Sequence, residues 1–313
     1  MPTAAADSTR TARTGRTGRR RKAAAALVGA ALLAGALTGV PAPAQAAEAS
    51  GTAFVTGRYV ALGDSYAAGA GIPALTAGMC LRSDHDYGTL VAGGLRSPAY
   101  TDVTCAGAKV AALTSAQTDG GAVVNGPQLA AVAPDATLVS LTVGGNDLGT
   151  SDLGFADVVA ACSALAVTDP LGTPCQDAYG DTLTRRVDAA APRLADALRL
   201  IHLQAPRATV VVAGYPAVLP AEPSSCLGKL PVTGGDLRYL RSVLDRLDTM
   251  VAQTAGAGGA VYADTMAATT GHDTCSADPW IEGLLPASPA LPLHPDATGE
   301  RAMADAVLHA LGR

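Results

Sequence analysis

A serine hydroxyl becomes a useful nucleophile only when a base takes its proton, which calls for a serine on a sharp turn and a histidine able to reach it. Ser65 stands in Gly63-Asp64-Ser65-Tyr66, directly after the apolar run 58–62. A strand ending in a glycine turn near a helix start would face the Ser65 backbone N–H toward a substrate, with the helix dipole behind it. Taken alone, Gly-Asp-Ser marks no more than a turn or a cap. Five histidines could supply the base. His202 and His309 fall in helical patterns and read as helix-surface residues. His85, in Asp84-His85-Asp86, and His272, in Gly271-His272-Asp273 near Cys275, read as loop residues. His294, in Leu293-His294-Pro295, differs. The proline keeps His294 out of the helical region and can open the last helix, so the imidazole projects from a stiff corner. The pair expected to carry chemistry is therefore Ser65 and His294.

The elements that must position them show in the hydrophobic pattern. Apolar runs at 58–62, 136–143 and 208–213, with a weaker one at 259–263, read as buried strands. Unbroken apolar strands imply a sheet covered on both faces. Leu183, Val187, Ala190, Leu194, Ala197, Leu198 and Ile201 recur at three- and four-residue steps through 182–204, where Pro192 is expected to break or kink a helix. Helical spacing returns at 236–254 and 296–311, the last with Asp296 as its N-cap. Strands alternating with helices argue for an α/β fold with a mainly parallel sheet, whose ligands bind beyond the carboxyl ends of the strands. The turns at Ser65 and at Gly144-Gly145-Asn146-Asp147 both fall at such ends.

The chain of 313 residues is 49% hydrophobic and 16% charged, which suits a globular protein. Residues 1–47 read as a secretory signal peptide: seven basic residues from Arg10 to Lys22, an uncharged run from Ala23 to Val40, and small residues allowing cleavage near Ala46 or Ala47. A membrane anchor is the rival, disfavoured by the Ala/Gly richness of the run and by the cleavage site. Arg19-Arg20-Arg21 leaves Sec or twin-arginine export undecided. Residues 48–313 are expected to form one domain. The leader holds one acid, Asp7, so losing its net +6 takes the formal charge from −5 to −11. Such an acidic chain argues against nucleic acid or an anionic membrane as partner. Six cysteines in an exported chain suggest disulfides in any of fifteen pairings. Pairing sequence neighbours gives Cys80–Cys105, Cys162–Cys175 and Cys226–Cys275. Zinc is the weaker reading, since no C-x₂-C spacing occurs.

Taken together, Gly63-Asp64-Ser65-Tyr66, Gly107, Gly144-Gly145-Asn146-Asp147 and His294-Pro295 stand in an order that resembles the SGNH/GDSL hydrolases over essentially all of 48–313. Within that superfamily the chain most resembles the secreted actinobacterial, Streptomyces-type lipases and esterases, which share six cysteines at similar places. The resemblance implies a three-layer α/β/α sandwich and a carboxylic ester hydrolase with no cofactor or metal. It implies that Ser65 is the nucleophile and His294 the general base and acid. The Ser65 N–H, the Gly107 N–H and the Asn146 side chain would form the oxyanion hole. Most of the superfamily carries an aspartate three residues before the histidine. Here that position is Leu291, so the group orienting His294 is expected to be the main-chain carbonyl of Leu291 or Pro292, with Asp264 and Asp278 as candidate distant acids.

The expected function is a secreted, monomeric serine esterase or lipase acting on small-molecule or lipid esters, with no stable membrane anchor. A carbohydrate acetylesterase on the same fold is the first alternative, weakened by an aromatic content of 4%. A non-catalytic secreted binding module is the second. The stretch 148–179, with Cys162 and Cys175, reads either as a wall of the acyl pocket or as a stapled surface loop.

Overall fold

The computed structural model describes residues 57–150 and 154–313. The signal peptide expected at 1–47 lies outside the described residues. Five strands form the central sheet: β1 (Arg58–Gly63), β2 (Ala99–Asp102), β3 (Ala136–Thr142), β4 (Thr209–Ala213) and β5 (Val261–Ala263). All neighbours run parallel, in the order β2-β1-β3-β4-β5. The chain leaves β1 toward β2 on one side and returns as β3 on the other. The turns after β1 and β3 therefore diverge at their carboxyl ends, the topological switch point where open α/β sheets bind ligands. The β1–β3 register ends with Gly63 opposite Thr142, which sets the Ser65 turn beside the turn bearing Asn146.

The inner strands are apolar because both faces are covered. Val60, Leu62, Val139, Leu141, Val211 and Val212 are buried in one core cluster with residues of the helices. The helices are α1 (Tyr87–Leu95), α2 (Phe155–Leu165), α3 (Pro174–Tyr179), α4 (Thr182–Gln204), α5 (Gly234–Ala257), α6 (Thr265–Ala268) and α7 (Ala297–Ala310). The mainly parallel sheet with helices is the expected α/β architecture.

Two local expectations change. Helix α4 runs unbroken through Pro192. Proline has no N–H for the Asp188 carbonyl, but Pro192 is exposed, so water can satisfy that carbonyl. Strand β2 has no apolar run to announce it, because Ala99-Tyr100-Thr101-Asp102 forms the half-buried edge of the sheet. The sulfurs pair as Cys80–Cys105, Cys162–Cys175 and Cys226–Cys275.

Candidate active site

Ser65 is delivered by a tight exit from β1. Gly63 sits at φ +133, and a Cβ there would lie 2.4 Å from the carbonyl oxygen of Thr142, so only glycine lets β1 leave this close to β3. The buried Gln128 amide clamps the same residue, accepting from Gly63 N–H at 2.7 Å and donating to its carbonyl at 2.9 Å. Past Ser65 the chain makes turns rather than the expected helix start. Ala70 N–H bonds Ser65 O at 3.1 Å, and left-handed Gly69 and Gly71 stop a helix from propagating, so α1 begins only at Tyr87. A full helix dipole behind Ser65 is therefore absent. Its backbone N–H has no hydrogen-bond partner among the described residues.

His294 comes from the loop before α7. Leu293 adopts φ +62, a left-handed conformation costing a β-carbon residue about 1–2 kcal/mol. Full burial of its side chain and a 2.7 Å hydrogen bond from the Tyr66 hydroxyl to its carbonyl hold it there. The twist separates the two candidate carbonyls. Leu291 O accepts the His294 backbone N–H at 3.1 Å, while Pro292 O lies 2.8 Å from Nδ1 of the ring. A carbonyl can only accept, so Nδ1 carries the proton and Nε2 presents its lone pair. That Nε2 lies 2.6 Å from Ser65 Oγ. Tyr66 stacks on the imidazole with ring centroids 4.4 Å apart. Burial pulls the His294 pKa from 6.5 down to about 4, against a smaller upward effect of the Pro292 carbonyl. Asp264 instead caps α6 through Ala267 N–H, and the Asp278 carbonyl meets His272, itself stacked on Trp280.

Gly107 occupies a type II turn. Ala108 N–H bonds Cys105 O at 3.1 Å, and Gly107, at φ +78, takes the third position, which favours glycine. The Cys80–Cys105 disulfide lies at the start of this turn. Asn146 sits on the 3₁₀ turn after β3 and donates one Nδ2 hydrogen to Ala108 O at 3.0 Å; the second has no acceptor among the described residues. Ser65, Gly107 and His294 line one cavity of about 410 Å³, with apolar walls that include Leu81, Ala156, Ala160 and Leu284. Asn146 borders the adjoining recess, shared with His294 and Ala156. Within the stretch 148–179, α2 faces the cavity with Ala156 and Ala160, and its Cys162 ties it to Cys175 of α3. A roomier open groove of about 780 Å³ between α4 and α5 carries His202 but no serine beside it. Size therefore does not choose the site.

The sequence profile of the GDSL-like Lipase/Acylhydrolase family matches residues 61–302, a span that contains all four of these residues. The chain belongs to that family. It is an ester hydrolase of the lipase and esterase type. Among its relatives, Lipase 2 of Streptomyces coelicolor is 39% identical, over 94% of this chain and 97% of its own length. The crystal structure of phospholipase A1 from Streptomyces albidoflavus NA297 is similar at a TM-score of 0.67 and 30% identity, covering 82% of this chain and 99% of that one. The extracellular lipase of Streptomyces rimosus superimposes with a TM-score of 0.67 at 26% identity, over 82% and 100%.

Two further residues, Asp64 and Tyr215, brace the turns that carry this site. The Tyr215 hydroxyl donates to Asp64 Oδ2 at 2.5 Å and accepts Gly145 N–H at 2.6 Å, tying together the ends of β1, β3 and β4. Asp64 Oδ1 accepts Tyr66 N–H at 2.9 Å, so the same carboxyl shapes the nucleophile turn. Burial lifts Asp64 to about 7, with the Tyr215 and Tyr66 hydrogen bonds pulling the other way. Both Asp64 and Tyr215 stand at carboxyl ends of apolar runs, which is the one signal the sequence offered for them.

Proposed function

We propose that the protein is a secreted serine esterase or lipase that cleaves acyl esters, lipid esters included, through an acyl-enzyme on Ser65. The observation that carries this reading is the 2.6 Å contact between His294 Nε2 and Ser65 Oγ, with Nδ1 held at Pro292 O. His294 removes the Oγ proton as Oγ attacks the ester carbonyl carbon. The oxyanion receives the N–H groups of Ser65 and Gly107 and the second Nδ2 hydrogen of Asn146. The imidazolium then protonates the leaving alcohol, the C–O bond breaks, and water repeats the cycle on the acyl-enzyme. A neutral carbonyl fixes the tautomer but stabilises imidazolium less than a carboxylate would. Burial lowers the His294 pKa, so the ring is neutral at neutral pH before it takes the Ser65 proton.

The apolar cavity walls favour an acyl chain, as does the likeness to a phospholipase A1 and to lipases. A polysaccharide acetylesterase is served less well, because no aromatic residue lines the cavity among the described residues and Trp280 is stacked on His272. Secretion through the leader at 1–47, leaving 48–313 as one domain, agrees with three disulfides. Hydrolysis of a p-nitrophenyl ester series and an emulsified triglyceride, beside acetylated xylan, tests the substrate class. Faster turnover of the longer acyl esters is expected; a preference for acetylated xylan would overturn it.

A further inference from the structure

The Cys105–Ala108 turn is held by a set of hydrogen bonds, of which one comes from a side chain lining the cavity. Cys105 N–H bonds Gly63 O at 3.1 Å, Ala106 N–H bonds Cys80 O at 3.0 Å, and Ala108 N–H closes the turn. Ala108 O receives Asn146. The remaining tie is Gln117, whose Nε2 donates to Ala106 O at 2.7 Å. That carbonyl belongs to the same peptide plane as the Gly107 N–H, and the two ends of a trans peptide point in opposite directions. Holding Ala106 O against Gln117 therefore aims the Gly107 N–H the other way.

The amide cannot be reversed, because Ala106 O accepts only and must face Nε2. Gln117 Oε1 is buried without a hydrogen-bond partner among the described residues. The amide is thus tied to the turn through its nitrogen alone among the described residues. Gln117 arrives on a short hairpin, residues 117–119 paired with 122–125, whose Asn125 is tied to Val103 O at 2.9 Å. It also lines the Ser65 cavity.

We infer that Gln117 is a positioning residue for the oxyanion hole, holding the Ala106–Gly107 peptide with its N–H aimed at the ester oxygen. The inference rests on the proposed Ser65 chemistry and deepens it. Exchange through a peptide flip would leave the ester binding site intact while removing one donor, so transition-state stabilisation is lost and ground-state binding is kept.

The test uses the full mature chain with Gln117→Met and Gln117→Glu. In Gln117→Met, kcat on a p-nitrophenyl ester should fall by about tenfold or more with KM within about twofold of wild type. Affinity for an alkyl trifluoromethyl ketone, which forms a tetrahedral adduct, should fall by the same factor while the melting temperature holds. In Gln117→Glu the protonated acid can still donate to Ala106 O and the carboxylate cannot. Its kcat relative to wild type should therefore decline as pH rises through the glutamate pKa, a dependence a purely structural role would not create. Unchanged kcat in Gln117→Met, or a loss matched by a fall in melting temperature and a flat Gln117→Glu ratio, overturns the inference. Retention of wild-type hydrolysis by Ser65→Ala would instead overturn the underlying reading, so the two failures are distinguishable.

Discussion

The low pKa of His294 has a kinetic consequence that separates this site from one built on a carboxylate. Burial holds the base near 4 instead of 6.5, and only a neutral carbonyl opposes that pull. At pH 5 a base with a pKa of 4 is about 90% neutral, whereas an ordinary histidine is about 3% neutral, a gap of roughly 30-fold in competent enzyme. The kcat/KM for a soluble p-nitrophenyl ester, followed from about pH 3.5 to about pH 8, should therefore stay near its plateau at pH 5 and fall only toward pH 4. The same protonation acts on stability. A histidine whose folded pKa is depressed contributes stability present above its unfolded pKa and lost as pH falls through the folded value. Lowering from 6.5 to about 4 corresponds to a contribution of order 3 kcal/mol. Circular dichroism at each pH separates acid unfolding from loss of the base. An acid limb near 6.5 on a folded enzyme would refute the reasoning and point to an unseen anionic partner for His294.

Other perturbations follow from the same geometry. Asn146→Ala should lower kcat by about 10²–10³ with little change in KM, read by steady-state kinetics on a short ester. Ala156→Leu narrows the cavity and should penalise each acyl methylene that no longer fits by about fourfold in kcat/KM, shifting the chain-length optimum downward. Asp64 is raised to about 7, so its contribution to stability is complete below its unfolded value of 3.8 and is lost as pH rises through about 7. Thermal melts should show Asp64→Asn losing less stability than wild type between about pH 5 and about pH 8.

Much of the layout was legible in residue order, and the reasons are physical. Strands β1, β3 and β4 are covered on both faces and so appear as apolar runs, while α4, α5 and α7 bury one stripe each. Strand β2 is a half-buried edge and has no such pattern. Helix α1, with Gly88, Gly93 and Gly94 among its nine residues, carries too little helix propensity to announce itself. Ser65 and His294 could be paired because a turn serine and a pre-helix histidine each have local marks, and the family order joined them. The choice between the Leu291 and Pro292 carbonyls turns on Leu293 being left-handed, a conformation no leucine advertises. Asp64, Tyr215 and Gln117 act through contacts across 151, 70 and 11 residues of chain, where spacing says nothing about hydrogen bonding.

The most direct measurement is covalent. A fluorophosphonate probe followed by peptide mass spectrometry should place one phosphonyl group on Ser65 of the native protein. Labelling should vanish in Ser65→Ala and slow by orders of magnitude in His294→Ala, with both variants folded. A native protein that resists the probe, or that carries the adduct on another residue, would contradict the Ser65–His294 account.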